Sequence, residues 1–579
     1  MSPDRDTSRV TPPLPSTPQG RRGARTRPGG VFSALAATAL LATVPALSGV
    51  AAGPSAGAAG TPTEPPAASP SGSPSESPEA VDATEPADAS PTPETSDASP
   101  IGDPAASEAP GTDGSPAPID GAAEEEDEEE AELEGPVDVT LTRLGVDPFV
   151  DGDGAHQSVA EVDGFHFGST IVAVGQAGPY ADGGASAVVF ATSGDNGVTW
   201  TRGVLPGLTR ARGGPYERVG HPVVSFDARH ETWLVSSLAF DVTGSGVRAV
   251  GVVVSRSTDG GHTWSAPVLV GAGDDPAGIG IACDNTPSSP FHGTCYSRWS
   301  DRGAENRLKI SRSPDGGRTW HPAAETGDRA SGIGGRPVVQ RDGTVIVPVR
   351  GLGRIRSFRS TDGGTTWRAT VPVADVREHD ASPGTAEPPA AGIDAAGRVY
   401  VVWRDCRFRD GCTADDIVMS TSTNGNDWGP VTRVTGGRGD HFGAGIGVDR
   451  STSAGSARLA VVYHRRPGSG CAPETCRITV EYVSSHDGGA SWSHPIRLAG
   501  PMRPAWLAGT AEARATGGRV AVSVVPGGNA FPVFSSATAN AGTRFAQHMF
   551  TVAGGLPISG GTRPAEAEAV PAGALPAPG

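Results

Sequence analysis

The sequence predicts an all-β protein, a β-propeller built from four-stranded blades. Three observations predict this fold: a short turn phrase that occurs six times, strand-like segments before and after each copy, and a tryptophan that closes each copy. A turn phrase that recurs at intervals of several tens of residues is typical of a repeat architecture, in which each repeat is one supersecondary unit.

The repeated phrase reads Ser-x-Asp-x-Gly-x-Thr-Trp. Its copies start at Ser193, Ser257, Ser313, Ser360, Ser422 and Ser485, so that successive starts lie 47 to 64 residues apart. The acidic position is occupied by Asp195, Asp259, Asp315, Asp362, Asn424 and Asp487, and the copy with Asn424 is degenerate. Asp followed by Gly-Gly or Asn-Gly favours a tight hairpin turn. The Trp then enters the next strand, where we expect its ring to pack against a neighbouring repeat.

The segments between the copies complete the blade. An apolar stretch such as residues 221–227 leads through a turn to a second apolar stretch such as 233–235. These two strands and the two that flank the repeated turn phrase give four strands per unit. Residues 509–550 add strands without a turn phrase, and residues 137–141 add one at the front. We therefore predict seven blades, closed by pairing of the two chain ends; six blades are the alternative.

Composition divides the chain into four parts. In residues 1–52, four arginines at 21–27 precede an apolar run at 31–50 and small residues, which predicts a secretory signal peptide; a membrane anchor is the alternative. Residues 53–136 are rich in Pro, Ala, Ser and acid and predict a disordered acidic linker. Residues 137–553 form the predicted propeller, and residues 554–579 a disordered tail. We thus expect a secreted or cell-surface protein with no stable membrane span after processing.

The charge of the chain belongs mainly to the linker. Residues 53–136 hold 21 acids and no base, and residues 1–52 hold 6 bases and 2 acids. With 46 bases and 64 acids in total, residues 137–579 keep 40 bases and 41 acids. A nearly neutral folded part offers no electrostatic case for a nucleic-acid partner.

Six cysteines fall into three close pairs, Cys283 with Cys295, Cys406 with Cys412, and Cys471 with Cys476. Export favours disulfides, and local pairing is the simplest of fifteen connectivities. Zinc is the rival interpretation, without supporting His-Cys spacing. Asp147, Asp151 and Asp153 resemble a loose calcium loop that lacks the full ligand pattern. We predict neither a metal nor a cofactor.

The turn phrase resembles the Asp box (BNR repeat) of the sialidase, or neuraminidase, superfamily, and phrases such as residues 282–290 and 402–406 resemble secreted bacterial exo-α-sialidase-like proteins. The resemblance covers about residues 150–550. It implies a propeller in which each Asp box lies on the turn between the third and the fourth strand of a blade, counted from the central axis. The site then lies on the opposite face, around the mouth of the central funnel. It further implies an enzyme that hydrolyses a terminal sialic acid from a glycan. In such an enzyme three arginines bind the sugar carboxylate, a Tyr paired with Glu is the nucleophile, and an Asp is the acid/base.

Loops on the predicted funnel face supply the candidate site residues. Arginines there could clamp a carboxylate, and carboxylates nearby could act as acid and base. The substrate-binding candidates are Arg218, Arg298, Arg336 and Arg404, and the catalytic candidates are Asp301 and Glu387.

Two features depart from the sialidase pattern. No F/Y-R-I-P phrase begins the propeller, and the last tyrosine, Tyr482, precedes the last turn phrase instead of following it. The first functional hypothesis is a sialidase-like glycoside hydrolase acting on terminal anionic sugars of a glycan or glycoprotein, as a monomer. The alternatives are a propeller that binds a glycan or protein without turnover, and hydrolysis of a neutral glucan by a carboxylate pair.

Overall fold

The computed structural model describes residues 139–149, 154–244, 246–379, 387–468, 471–509, 519–542, 544–561 and 563–567. The predicted signal peptide, the predicted linker, Asp151 and Asp153 lie outside these residues.

The described residues form thirty strands and five three-residue 3-10 helices. The first nine strands are β1 (Leu141–Gly145), β2 (Val159–Phe167), β3 (Thr170–Pro179), β4 (Ala185–Ser193), β5 (Thr201–Val204), β6 (Arg218–Asp227), β7 (Thr232–Thr243), β8 (Gly246–Ser257) and β9 (Val268–Ala272). The next eleven are β10 (Pro276–Cys283), β11 (Cys295–Asp301), β12 (Arg307–Ser313), β13 (Val338–Val339), β14 (Val345–Gly351), β15 (Arg354–Ser360), β16 (Val371–Asp375), β17 (Ala390–Ile393), β18 (Val399–Asp405), β19 (Asp416–Ser422) and β20 (Thr432–Arg433). The last ten are β21 (Asp440–Val448), β22 (Leu459–Arg466), β23 (Ile478–Ser485), β24 (Ser491–Trp492), β25 (Ile496–Met502), β26 (Ala521–Val524), β27 (Asn529–Ala537), β28 (Gln547–Val552), β29 (Leu556–Pro557) and β30 (Arg563–Pro564). The 3-10 helices are Arg210–Arg212, Arg302–Ala304, Asp410–Cys412, Ala454–Ser456 and Pro504–Trp506.

The strands form antiparallel sheets in a propeller arrangement. Four-stranded sheets consist of β13 to β16, of β17 to β20, and of β21, β22, β23 and β25, and a three-stranded sheet consists of β10 to β12. An eight-stranded sheet holds β2 to β9, in which a single residue pair, Ala185 with Val219, joins β4 to β6. Five sheets of the described residues have four strands or more. This count confirms an all-β propeller arrangement and does not confirm the predicted seven, or alternatively six, blades.

The two ends of the propeller pair with each other. Strand β1 runs antiparallel to β28, with Leu141 opposite Val552, and β28 continues through β27 to β26. The first strand of the chain is therefore the outer strand of the last sheet. It begins at Leu141, whereas the sequence predicts a front strand that ends there.

The segment after residue 553 differs from the predicted disordered tail. Strand β29 pairs with β27, and β30 pairs with β24. Leu556 is buried in the same hydrophobic cluster as Val524 and Phe534, and this apolar contact holds the segment against the propeller. Residues 568–579 lie outside the described part of the chain.

The repeated turns are closed by one set of hydrogen bonds, seen clearly at Asp259. The Ser257 hydroxyl donates to Asp259 Oδ1 at 2.7 Å and accepts the backbone N–H of Gly261 at 2.9 Å. Asp259 also accepts the backbone N–H and the hydroxyl of Thr263 at 2.9 and 2.5 Å. The same bonds recur around Asp195, Asp315, Asp362 and Asp487. These carboxylates are therefore occupied by their own hairpins.

Two tryptophans of the turns pack against the repeat that precedes them, as the sequence predicts. The ring of Trp264, on the segment after β8, lies 5.8 Å from the ring of Phe190 on β4. The ring of Trp367 lies 6.4 Å from that of Tyr296 on β11. These two turns thus couple a local hairpin to the core shared with the preceding repeat.

The three predicted disulfides are present, Cys283–Cys295, Cys406–Cys412 and Cys471–Cys476. Each closes one local loop of 5 to 12 residues in sequence separation. Among the described residues, no helix is long and apolar enough to cross a membrane.

Candidate functional site

A cavity of about 390 Å³ lies among the innermost strands, and we name it the central cavity. Its wall is built from the first strand, or the segment just before it, of successive sheets. The lining segments include residues 277–280, 333–336, 387–391, 443–446 and 519–522, together with Glu161, Asp163, His221, Val223 and Arg302. A cavity of this volume accommodates one sugar-sized ligand.

Four innermost strands carry the same bulge where they face this cavity. The pairing register shifts by one residue after Ala160, Gly220, Ala277 and Phe442. The residue that follows each shift has a positive φ, 53° at Gly278 and 62° at Gly443. At the other two strands this position holds Glu161, with φ 49°, and His221, with φ 51°. Left-handed backbone at a non-glycine residue is strained and clusters at functional sites.

Glu161 and His221 meet in the cavity wall. His221 Nδ1 lies 3.6 Å from Glu161 Oε2, and the Arg519 guanidinium lies 3.2 Å from the same oxygen through Nε. Glu161 is 4% exposed, so its charge is compensated inside the protein rather than by water. An acid, a base and a cation therefore converge at one edge of the cavity.

Asp163 and Arg336 form a second pair on the wall. Arg336 Nη2 lies 2.9 Å from Asp163 Oδ2, and the same nitrogen donates to the carbonyl of Val224. The Arg336 guanidinium also stands over the ring of Phe165, with its carbon 5.5 Å from the ring centroid. Arg336 is thus a cation that lines the cavity and is held by three contacts.

Glu387 is the third carboxylate of the cavity. Its Oε2 accepts the backbone N–H of Gly443 at 2.8 Å, and its Oε1 lies 3.8 Å from Arg404 Nη1. Burial raises the pKa of Glu387, although Arg404 and the Gly443 N–H act in the opposite direction. The environment therefore favours the protonated acid at this position more than water does.

A buried charge network stands behind Glu387. Glu378 accepts hydrogen bonds from both Arg350 and Arg404, at 2.5 and 2.7 Å. Asp415 is buried, and its Oδ2 accepts no hydrogen bond from the described residues. Burial raises the pKa of Asp415 to about 7. Arg404 is therefore part of the support behind the wall and does not itself line the cavity.

The other predicted site residues lie away from the cavity surface. Arg298 is fully buried and donates to the carbonyls of Gly278 and Gly334, so it holds two lining segments from behind. Arg218 binds Asp182 at 2.5 Å and stacks on Tyr180. Asp301 accepts the backbone N–H of Asp274 at 3.0 Å in a loop at the end of β11. Of the six predicted site residues, Arg336 and Glu387 line the cavity.

The sequence interpretation missed Glu161, Asp163 and Arg519 as site residues. Glu161 and Asp163 alternate within an otherwise apolar segment before the first turn phrase, and acids in a buried strand are the signal that pointed to them. Arg519 directly precedes a strand without a turn phrase, which left its blade position undefined.

All six tyrosines of the chain lie in the described residues, and none lines the central cavity. Four of them, Tyr296, Tyr400, Tyr463 and Tyr482, are fully buried in the sheets. No group of three or more His, Cys, Asp or Glu side chains among the described residues is placed to hold a metal ion. Asp147, from the loose calcium-loop pattern, accepts the backbone N–H groups of Phe149 and Gln157, each at 3.0 Å.

No family model matches the chain, and no curated protein matches it. Similar solved structures include a protein of unknown function from Dyadobacter fermentans DSM 18053, at 18% identity and a TM-score of 0.40, covering 60% of this chain and 98% of that one. Trypanosoma rangeli sialidase with the inhibitor DANA is 16% identical at a TM-score of 0.37, covering 53% of each chain, so the match spans about half of that enzyme. A NanB sialidase variant from Streptococcus pneumoniae is 12% identical at a TM-score of 0.36, covering 71% of this chain and 69% of that one. These TM-scores are all below 0.5, and we infer nothing about this protein from the three structures. The propeller arrangement follows from the strand order of this chain.

Proposed function

We propose that the protein is a sialidase-like glycoside hydrolase that binds a terminal sugar of a glycan in the central cavity. One observation carries this proposal: Glu161, Asp163 and Glu387 line a sugar-sized cavity together with arginine side chains. Paired carboxylates in different environments are what glycoside hydrolysis requires. The arginines favour a sugar that bears a negative charge.

We further propose seven blades with Asp boxes around this cavity. The eight-stranded sheet divides into two four-stranded units at its single joining pair, Ala185 with Val219. The three-stranded sheet gains an outer edge through the isolated bridge between Ile310 and Ala324. With three four-stranded sheets and the sheet closed by β1, these units add up to seven, and each contributes a segment to the cavity wall.

The chemistry divides between two carboxyl groups. Glu387, whose pKa is raised by burial, is the general acid that protonates the departing glycosidic oxygen as its bond to the anomeric carbon breaks. Glu161 is the general base that removes a proton from water while the water oxygen bonds to the anomeric carbon. Arg519 and His221 keep the Glu161 carboxylate oriented for this step. Arg336 binds the negative group of the sugar.

The test is release of sugar from a panel of fluorogenic glycosides that includes a sialoside, a glucuronide and neutral sugars. We expect turnover of an anionic member and a loss of roughly 100-fold or more in kcat for Glu387→Gln. Because its pKa is raised, Glu387 stays protonated to higher pH than an exposed Glu, so the alkaline limb of the wild-type rate profile should lie above the ordinary range of a carboxyl group. A glycoside whose aryl leaving group is more acidic than the fluorophore, such as dinitrophenol, should partly rescue E387Q, since that group departs without a proton.

The matched control is Asp375→Asn, which removes an exposed carboxylate paired with Arg354 on an outer strand. Its rate should equal that of wild type. Absence of turnover with every glycoside, or equal rates for E387Q and D375N, would refute the hydrolase.

The second candidate function is glycan binding without turnover. Two observations favour it. Arg336 and Arg519 are paired with Asp163 and Glu161, so these carboxylates are engaged in ion pairs. No tyrosine that could act as a nucleophile lines the wall. A glycan array separates the two functions. Saturable binding by wild type, lost in Arg336→Ala and accompanied by no released sugar, would establish the binding module.

We also propose that the protein is exported through residues 1–52 and acts outside the cell as a monomer on a glycan or glycoprotein. Three disulfides support this localisation, because disulfides persist in oxidising compartments.

A further inference from the structure

A second cavity, of about 360 Å³, lies apart from the proposed sugar site, and we name it the distal chamber. It is lined by residues 165–168, 285–287, 393–395 and 449–451, with Val339, Arg341, Gly397 and Pro526. It shares no lining residue with the central cavity.

The two cavities lie at opposite ends of the innermost strands. Along β2, Glu161 and Asp163 line the central cavity, and Phe165 and Phe167 line the distal chamber. The same order recurs in two other places. Residues 387–391 line the central cavity and 393–395 line the distal chamber, and likewise 443–446 line the central cavity and 449–451 line the distal chamber. Because a strand rises about 3.3 Å per residue, each strand leads from one cavity to the other. The distal chamber therefore opens on the face that carries the turns after the first strands.

Two arginines of the chamber have unused hydrogen-bonding capacity. Arg341 and Arg450 are exposed at its surface, and neither makes a hydrogen bond or an ion pair with any residue that the structure describes. This contrasts with Arg336 and Arg519 of the central cavity, which are paired with carboxylates. A guanidinium group offers five donors and remains charged.

The carboxylates around the chamber are engaged by their own turns. Asp394 accepts the backbone N–H groups of Ala396 and Arg398 and the hydroxyl of Tyr400. Asp449 accepts the backbone N–H and the hydroxyl of Ser451.

Two further groups complete the charge balance of the chamber. Asp284, whose field reaches Arg450, accepts from Thr286 and Ser289. Burial, and secondarily Arg450, lowers the pKa of His166 to about 4, so His166 is neutral at pH 7. Among the described residues that line the chamber, the two arginines are thus the cations without a protein partner.

One wall of the chamber is aromatic and apolar. The Phe167 ring is 40% exposed and is backed by Phe226, with ring centroids 4.5 Å apart. Ile393, Pro287 and Pro526 complete an apolar surface around the arginines. A flat ring can pack against such a wall while its charged substituent reaches the guanidinium groups.

We propose that the distal chamber is an anion-binding site for a carboxylate carried on a single ring with an apolar face, with Arg341 and Arg450 as its ligands and Phe167 as its packing surface. An aromatic acid and a uronic acid sugar share this chemistry. The site is independent of the proposed hydrolase and does not require it.

The test is isothermal titration calorimetry of the full chain with three probes: benzoate, glucuronate and the neutral benzamide. We expect at least one of the two anions, at concentrations up to about 10 mM, to bind saturably to a single site, and benzamide to give no heat of binding. Affinity should fall roughly tenfold or more in Arg450→Ala and in Arg341→Ala, and it should weaken with added salt. The anion that binds more tightly shows whether the natural ligand is an aromatic acid or a uronic acid sugar.

The matched control is Arg354→Ala, which removes an exposed arginine of β15 that does not line the chamber and should leave affinity unchanged. A Phe167→Ala variant should lose affinity while both arginines remain. Thermal melts establish that each variant is folded. Absence of saturable binding, equal affinity in R450A and R354A, or loss of binding in R336A instead of R450A would overturn the proposal.

Discussion

Glu161 and His221 hold left-handed backbone conformations that cost roughly 1 to 3 kcal/mol each at a non-glycine residue. Equivalent bulges carry glycine at Gly278 and Gly443, so the fold itself does not require a side chain there. The surroundings hold the strained residues in place, since Arg519 and His221 both lie against the Glu161 carboxylate. We infer that the side chains are retained for what they do in the cavity.

Two substitutions of one residue separate strain from side-chain loss. Glu161→Ala and Glu161→Gly both remove the carboxylate, but alanine keeps a Cβ in the left-handed region. We expect E161G to be more stable than E161A by about 1 kcal/mol, measured as the free energy of unfolding in urea, because glycine tolerates this φ.

The control for this comparison is a position with ordinary φ. Glu325 lies on a loop, and both Glu325→Gly and Glu325→Ala remove its ion pairs with Lys309 and Arg329. The two variants should differ in the reverse order, because glycine there only adds entropy to the unfolded chain. Equal stability of E161A and E161G would contradict the strain.

Of the six site residues predicted from sequence, two line the central cavity, and the direction of the other side chains was not predictable. Arg336 and Glu387 directly precede inner strands and line the cavity. Arg298 and Arg404 lie on second strands, and their side chains turn into the wall to bind carbonyls or Glu378. Local spacing cannot distinguish these outcomes, because they depend on packing between sheets that are distant in sequence.

At the scale of elements, the repeated turn was predictable because the bonds that close it are local. Ser, Asp, Gly and Thr within seven residues supply the donors and acceptors, so their spacing alone specifies the hairpin. The degenerate copy follows the same logic with different partners, since Asn424 Nδ2 donates to Asp427 Oδ2 at 2.9 Å. The bulges of the inner strands were not predictable, because they arise from pairing between strands.

The turn should therefore respond to the charge of its aspartate. We expect Asp259→Asn to lower the free energy of unfolding by about 1 kcal/mol at pH 7, since the bonds from Thr263 lose their charged acceptor. Burial acts to raise the pKa of Asp259, but the hydrogen bonds from Thr263 and Ser257 outweigh it and lower the pKa. The stabilisation is thus present above the unfolded pKa of 3.8 and is lost as pH falls below it.

Chemical denaturation of D259N and wild type from pH 7 to pH 3 tests this sign: the difference should narrow below about pH 4. Asp342→Asn is the matched control. Asp342 caps a turn through one bond, from the Thr344 N–H to Oδ1, which an amide oxygen accepts equally well. A D259N deficit that grows in acid would contradict the role of the carboxylate.

For the whole molecule, closure depends on one strand from the start of the folded chain. Strand β1 pairs with β28 from Leu141 to Gly145, and Leu144 is fully buried beside Val189 and Met549. The predicted strands at both ends of the propeller segment made this closure foreseeable from sequence. The number of blades was harder to predict, because sheet boundaries depend on single residue pairs such as Ala185 with Val219.

Two truncations that differ by eight residues test the closure. Removal of residues 1–138 leaves β1 intact, and if residues 53–136 form the predicted linker, the melting temperature should equal that of the full chain. Removal of residues 1–146 takes away β1 and exposes β28, so that Val552 and Met549 lose their cover. Since loss of a buried leucine alone costs about 2 to 5 kcal/mol, the second truncation should unfold at clearly lower denaturant and be cleaved faster by protease. Leu144→Ala in the full chain should reproduce part of the loss, and equal stability of the two truncations would show that the propeller closes without β1.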